Sequence, residues 1–204
     1  KKFDGFEYSD IIKESNKEID IIQKRLTIQS KSLDEIAKLA KDKEKFLKSI
    51  PAIQPVNNEE LTRIASGFGK RIDPFTKASK FHHGIDFTAP QGTPVYASGD
   101  GVVTRADNRS SGYGNHIRIN HGYGYTSLYA HLYKFNVKRY QKVKRGDLIG
   151  YVGNTGRSNA PQLHYEIFKD KVRINPINFY YGNLTAKEYD ELLQQASVVN
   201  QSLD

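Results

Sequence analysis

Two adjacent histidines, His82 and His83, lie near the start of the stretch Phe81–Gly101, and Asp86 follows His82 by four positions. In an extended segment alternate side chains share a face, so His82, Gly84 and Asp86 point one way and His83 the other. A neutral imidazole and a carboxylate on one face, with a glycine between them, leave room for a cation. Alone this is weak, because histidines near turns are more often surface or hydrogen-bonded residues. A second stretch, Gly153–Phe168, strengthens it. Its LHYEIF alternates as a strand does and puts Gln162, His164 and Glu166 on one face. His82, Asp86 and His164 then supply two imidazoles and one carboxylate. Three protein ligands with one open position is the arrangement of a catalytic zinc. A third stretch, SLYAHLY, places His131 at the end of another strand-like run.

Together with ASGFGKRIDP, YGNHIRINHGYGYTSLYAHL, VKRGDLIGYVGNTGRS and RINPINF, in this order from about Ala65 to Phe179, these pieces resemble the lysostaphin-like (LytM-like) zinc peptidases. That family cuts peptide bonds in bacterial peptidoglycan. The resemblance implies an antiparallel, lysostaphin-like β domain of the duplicated hybrid type. It implies zinc held by His82, Asp86 and His164, with His131 assisting catalysis, and it implies export to the bacterial cell envelope, periplasmic or extracellular.

One position departs from the pattern. The family's HxH reads QLH here, so Gln162 stands where the resemblance places a histidine that acts as general base or orients the attacking water. Glutamine donates and accepts hydrogen bonds but takes no proton near neutral pH. Losing a positioned base typically costs ~10²–10⁴-fold in rate. Two readings stay open: a peptidoglycan endopeptidase with reduced or abolished activity, and a non-catalytic homologue that binds cell wall or activates a partner hydrolase.

Around these residues the composition is that of a globular protein, with 37% hydrophobic and 26% charged residues in 204. No run of roughly 18 apolar residues marks a membrane span. The opening KKFDGFEYSD has the character of a mid-protein segment, so an export signal or anchor is expected upstream. Without cysteine there are no disulfides or thiolate metal sites. A net charge of +8 favours polyanionic surroundings such as the cell-wall polymer. No nucleic-acid-binding signature accompanies it, and no nucleic acid is expected.

The elements that must position the site follow from periodicity. Residues 8 to 50 read as helix, with Ile12, Ile19, Leu26, Leu33, Ala40 and Leu47 repeating every seven residues. Such a stripe suggests helix-on-helix packing, either on the chain's own domain or in a coiled coil with an envelope partner. A break is expected at Thr27–Ser32, after which Ser32 and Glu35 form a capping box that starts a second helix. Pro51 and Pro55 give PAIQPVNNEE the character of an extended linker. Beyond it, short β-branched and aromatic runs are expected as strands at Ile85–Thr88, Pro94–Ala97, Gly101–Asp107, His116–Asn120, Tyr125–His131, Leu148–Val152, Leu163–Lys169 and Val172–Asn175. Lys169–Lys171 reads as a hairpin turn. The expected organisation is a helical arm over 1–50, a linker over 51–64, a β domain over 65–179 and a helical tail over 180–204 capped by Thr185. His83 is expected to be structural or groove-lining, and His116 and His121 surface or hydrogen-bonding residues. Arg71, Asn115 and the tyrosines Tyr113, Tyr123, Tyr125 and Tyr165 are candidates for shaping a groove.

Overall fold

The computed structural model describes residues 5–57, 59, 63–72, 78–110 and 112–180, and the single positions 185, 187, 190 and 194. Apart from Tyr180 and those single positions, the expected C-terminal tail lies outside the described residues. The chain divides into two compact units, Lys1–Lys45 and Phe46–Asp204.

Helix α1 runs uninterrupted over Gly5–Ser49. The break expected near Thr27–Ser32 does not occur. The Thr27 hydroxyl donates to the Gln23 carbonyl one turn back, at 2.9 Å. A hydroxyl satisfied in this way does not compete with the helix, and good helix formers surround it. The seven-residue stripe is solvent-facing: Ile12, Ile19, Leu26, Leu33 and Leu47 are each at least 50% exposed. On the same seven-residue spacing, Lys17, Lys24, Lys31, Lys38 and Lys45 form a second stripe, on the side of the helix away from the apolar one.

The second unit is mainly antiparallel β. Its strands are β1 (Arg63–Ser66), β2 (Gly69–Ile72), β3 (Ser79–His82), β4 (Ile85–Thr88), β5 (Pro94–Tyr96), β6 (Gly101–Ser110), β7 (Gly114–Gly122), β8 (Tyr125–Ala130), β9 (Lys134–Phe135), β10 (Lys142–Val143), β11 (Leu148–Tyr151), β12 (Gln162–Lys169) and β13 (Val172–Ile174). The large sheet has the order β1-β4-β12-β8-β7-β6-β10, with β13 added to β12. Two smaller sheets, β5-β11-β9 and β2-β3, complete the unit. All eight expected strands are present, with ends shifted by up to three residues. The five others (β1, β2, β3, β9 and β10) are only two to four residues long, too short to show alternation.

Alternation explains the sheet's two faces. Leu163, Tyr165 and Ile167 of β12 point into one apolar core with Ile85, Phe87, Ile117, Ile119 and Tyr129. The intervening Gln162, His164 and Glu166 lie on the other face and are also buried. The β12–β13 hairpin turns through Asp170 and Lys171, both with positive φ (50° and 68°), between the paired Lys169 and Val172. This is the two-residue hairpin conformation usually built with glycine.

Residues 51–56 form no helix or strand, and the segment is packed rather than free. Ala52 and Val56 are buried, and Val56 joins the core. The Tyr96 amide donates to Pro55 O at 2.8 Å and the Asp100 amide to Lys48 O at 2.9 Å. Arg145 donates to the carbonyls of Leu47 and Ile50.

Within the core, polar groups form a closed chain. Tyr165 Oη donates to Ser98 Oγ at 2.7 Å, and Ser98 Oγ pairs with Tyr129 Oη at 2.9 Å. Ser127 Oγ donates to Tyr129 Oη at 3.0 Å and pairs with His121 Nε2 at 2.7 Å. His121 Nδ1 meets Asp100 O at 2.8 Å. Burial pulls the His121 pKa from 6.5 to about 4, against the opposing effect of its bonds to the Asp100 and Gly99 backbone. The unfolded chain therefore binds a proton here below pH 6.5 that the fold refuses until pH is near 4. The contribution is complete above pH 6.5 and is lost as pH falls to about 4. Chemical denaturation at pH 7 and pH 4.5 should show His121→Gln losing about 2–3 kcal/mol less than the parent on acidification. An identical acid loss in both proteins would refute this assignment.

Candidate metal centre

β3 ends on His82, β4 carries Asp86, and β12 brings His164 directly opposite Asp86 in register. The His82 Nε2 to Asp86 Oδ1 distance is 3.1 Å. His82 Nε2 and His164 Nδ1 are 3.1 Å apart, and His164 Nδ1 and Asp86 Oδ1 are 2.7 Å apart. All three residues are buried. Gly84 makes the approach possible, because a Cβ there would lie 2.4 Å from Tyr165 O and 3.0 Å from His164 Cε1.

The outer atoms of each ligand are occupied. His82 Nδ1 donates to Gly67 O at 2.7 Å, which leaves Nε2 with the lone pair. His164 Nε2 pairs with Glu166 Oε1 at 3.1 Å, which turns Nδ1 toward His82 and Asp86. Arg71 Nη1 donates to Asp86 Oδ2 at 2.6 Å. Three donor atoms thus meet at one point. Bonds of ~2.0–2.1 Å in a tetrahedron separate ligand atoms by about 3.3 Å, close to the separations here. The donor set fits zinc.

The titration behaviour agrees. Burial opposes charge on His164, yet its bonds to Asp86 and Glu166 overcome that and raise its pKa to about 9. Burial pushes His82 down, with Asp86 opposing. Burial would raise the Asp86 carboxyl, but His82 and His164 hold it well below the usual range.

His131 follows β8, beside His164, with its ring centroid 6.0 Å from the His164 ring. Its φ is +61°, uncommon for a residue with a side chain. Two bonds fix it there: its amide donates to Tyr113 O at 2.9 Å, and Nδ1 donates to Thr155 O at 2.8 Å. Burial first, and then the nearby His164, lower its pKa to about 4, so the ring is neutral. The loops that hold it interlock at two glycines of positive φ, Gly114 (+59°) and Gly156 (+72°). A Cβ on Gly114 would lie 2.5 Å from Gly156 N, and one on Gly156 would lie 2.4 Å from Gly114 N. Asn115 belongs to this clasp through its amide, which donates to Thr155 Oγ1 at 2.9 Å.

Gln162 is fully buried, opposite Thr88 of β4. Its Nε2 donates to Ser158 Oγ at 3.2 Å, while Oε1 has no hydrogen-bond partner among the described residues. The cleft over the centre is about 250 Å³ and is lined by Lys80, Phe81, His83, Tyr113, His131 and Arg157 among others. His83 therefore faces the cleft. His116 and His121 are buried rather than on the surface, and both are hydrogen-bonded. Tyr165 belongs to the core, Tyr125 packs on Phe179 and Tyr123 on Phe46. None of the three lines the cleft.

The sequence alone did not single out Glu166, Arg173 or Thr155. Glu166 was visible only as an alternation partner of His164. Arg173 sits across a hairpin, and Thr155 holds His131 through its carbonyl and the Asn115 amide through its hydroxyl, contacts that no residue type betrays.

Comparison with known proteins places this geometry in a family. Residues 80–176 match the family model described as peptidase family M23. The chain is 48% identical over 117 residues to the DD-carboxypeptidase/endopeptidase Mpg of Neisseria meningitidis, covering 57% of this chain and 27% of that protein. It spans less than a third of the length of such curated relatives. Among solved structures, a zinc-containing peptidase from Vibrio cholerae is 39% identical, with a TM-score of 0.55 over 59% of this chain and 37% of that one. The catalytic domain of lysostaphin from Staphylococcus simulans is 34% identical, with a TM-score of 0.52 over 57% of this chain and 90% of that domain. Among the described residues, no helix is long and apolar enough to cross a membrane.

Proposed function

The chain belongs to peptidase family M23, and on that premise we propose that it is a zinc-dependent peptidoglycan endopeptidase whose turnover is reduced by Gln162. The observation that carries the proposal is the convergence of His82 Nε2, Asp86 Oδ1 and His164 Nδ1 to within 3.1 Å of one another. These atoms would hold the metal. Zinc, when bound, supplies a Lewis acid that polarises a peptide carbonyl and acidifies water. Everything else falls to the chain's own side chains.

His131 is neutral and donates through Nδ1 to Thr155 O, so Nε2 keeps its lone pair and accepts a hydrogen bond from the attacking water, orienting it. Gln162 takes no proton, and a pKa near 4 makes His131 a weak base, so proton removal is slow. Phe81 and Tyr113 give the cleft apolar walls. Arg71, Lys80 and Arg157 make it cationic, suited to the carboxylate-bearing peptide stems and cross-links of peptidoglycan. Such a substrate lies in the bacterial envelope, periplasmic or extracellular, and several relatives bear peptidoglycan peptidase names, among them the peptidoglycan DD-endopeptidase ShyA of Vibrio cholerae. The solvent-facing stripe of α1 is then a surface for a helical envelope partner.

Gln162 also favours a second reading, a wall-binding module without turnover. One experiment separates the two: zinc content of the purified protein measured together with muropeptide release from purified sacculi. The peptidase reading expects about one zinc per chain and slow release that a chelator abolishes. Zinc without products identifies the module, and protein that takes up no zinc overturns both.

A further inference from the structure

We infer that Glu166 is a positioning residue that fixes the His164 ring with its proton on Nε2, so that Nδ1 faces the centre as a metal ligand. The inference rests on the zinc reading above and adds a residue to it. A neutral imidazole has two tautomers, and only the one protonated on Nε2 leaves Nδ1 with a lone pair. An ionised carboxylate accepts hydrogen bonds and donates none. Glu166 Oε1, 3.1 Å from His164 Nε2, therefore dictates the tautomer. Carboxylates in this relation to a metal-bound histidine also raise its basicity.

Glu166 is itself held from two further directions. Tyr113 Oη donates to Oε1 at 2.7 Å, and Arg173 Nε donates to Oε2 at 2.8 Å. Arg173 Nη2 closes the ring by donating to Tyr113 Oη at 3.2 Å. The guanidinium also lies 5.2 Å from the centre of the Phe168 ring. The Tyr113 ring stacks on His164, with centroids 5.9 Å apart and planes 29° from parallel, so the imidazole cannot swing without moving the tyrosine. Position 166 shares its strand face with 164. The hairpin at Asp170–Lys171 returns Arg173 to pair with Phe168, beside that face. The arrangement is a closed ring of three side chains around the outer nitrogen of one ligand.

The test is zinc affinity, read by competition with a chromophoric chelator, on the parent, Glu166→Ala, Glu166→Gln and Arg173→Gln, with thermal melts of each metal-free protein. Glu166→Ala should weaken zinc about 10–100-fold. Glu166→Gln keeps a carbonyl that accepts from Nε2 and should recover most of that loss. Arg173→Gln leaves the His164–Glu166 bond in place and should cost less than Glu166→Ala. Rescue by glutamine distinguishes tautomer control from general loosening, which would follow the melting temperatures instead. Should Glu166→Ala fail to fold, the order parent, Arg173→Gln, Glu166→Gln still decides. Equal affinity across the folded variants overturns this inference alone. A parent that binds no zinc overturns the metal reading and this inference with it.

Discussion

Gln162→His is expected to raise muropeptide release by about 10²-fold or more, the lower range for supplying a positioned base, with zinc content unchanged. Position 162 is two residues from His164 on the same strand face and opposite Thr88, which is two residues from Asp86. A side chain there is flanked by candidate metal ligands, His164 along its own strand and Asp86 near its cross-strand neighbour. The present amide uses one hydrogen bond, to Ser158 Oγ, and leaves a buried oxygen without a partner. An imidazole of similar size could keep the Ser158 contact with one nitrogen and remove the orphaned acceptor. The variant should therefore be no less stable than the parent, and its gain should lie in kcat rather than KM, because the new group acts on water and not on substrate binding. Steady-state release from sacculi at matched zinc loading measures this. An unchanged rate with zinc bound would place the block elsewhere than position 162.

Asp86→Ala should produce the largest combined loss of metal and stability. It removes one of three ligands, so zinc should not be retained through gel filtration. It also removes the carboxylate bonded to the Arg71 guanidinium, which is 8% exposed and lies 2.6 Å from Asp86 Oδ2. Breaking a buried pair from one side costs about 3–5 kcal/mol. In a β unit of this size that corresponds to a melting temperature lower by roughly 10 °C. Asp86→Asn keeps an acceptor for Arg71, so it should lose zinc affinity while melting closer to the parent. Melting curves of both variants without metal check the prediction. Coincident curves for Asp86→Ala and the parent would show that Arg71 does not depend on this partner.

His82, Asp86 and His164 were legible in the sequence as candidate ligands because two short patterns carry them. LHYEIF obeys the two-residue period within β12, whereas HxxxD spans the break between β3 and β4, where Gly84 is required by the 2.4 Å approach to Tyr165 O. The sheet was legible by the two-residue period wherever strands were long. β2 and β3 were not, because four residues are too few to show alternation and GKRI carries a charge on each face. They matter all the same, since β2 supplies Arg71. The uninterrupted helix was misjudged at Thr27–Ser32 because hydroxyl residues stop helices only when their side chains capture the backbone from outside it, and Thr27 bonds within. The packing of residues 51–56, within the expected extended linker over 51–64, was not legible because proline content reports backbone shape and not burial. Glu166 escaped notice because one glutamate on an alternating strand looks like any other until Arg173 and Tyr113 are seen to close on it.

The interlocked glycines at 114 and 156 bear on how substrate range can diversify on this scaffold. Residues 112–115 and 153–157 touch main chain to main chain, and His131 hangs from both. Neither loop can be lengthened or given bulkier residues at the junction without displacing the histidine. Variation in what the cleft accepts is therefore channelled to side chains outside the junction, Lys80 and Phe81 of β3.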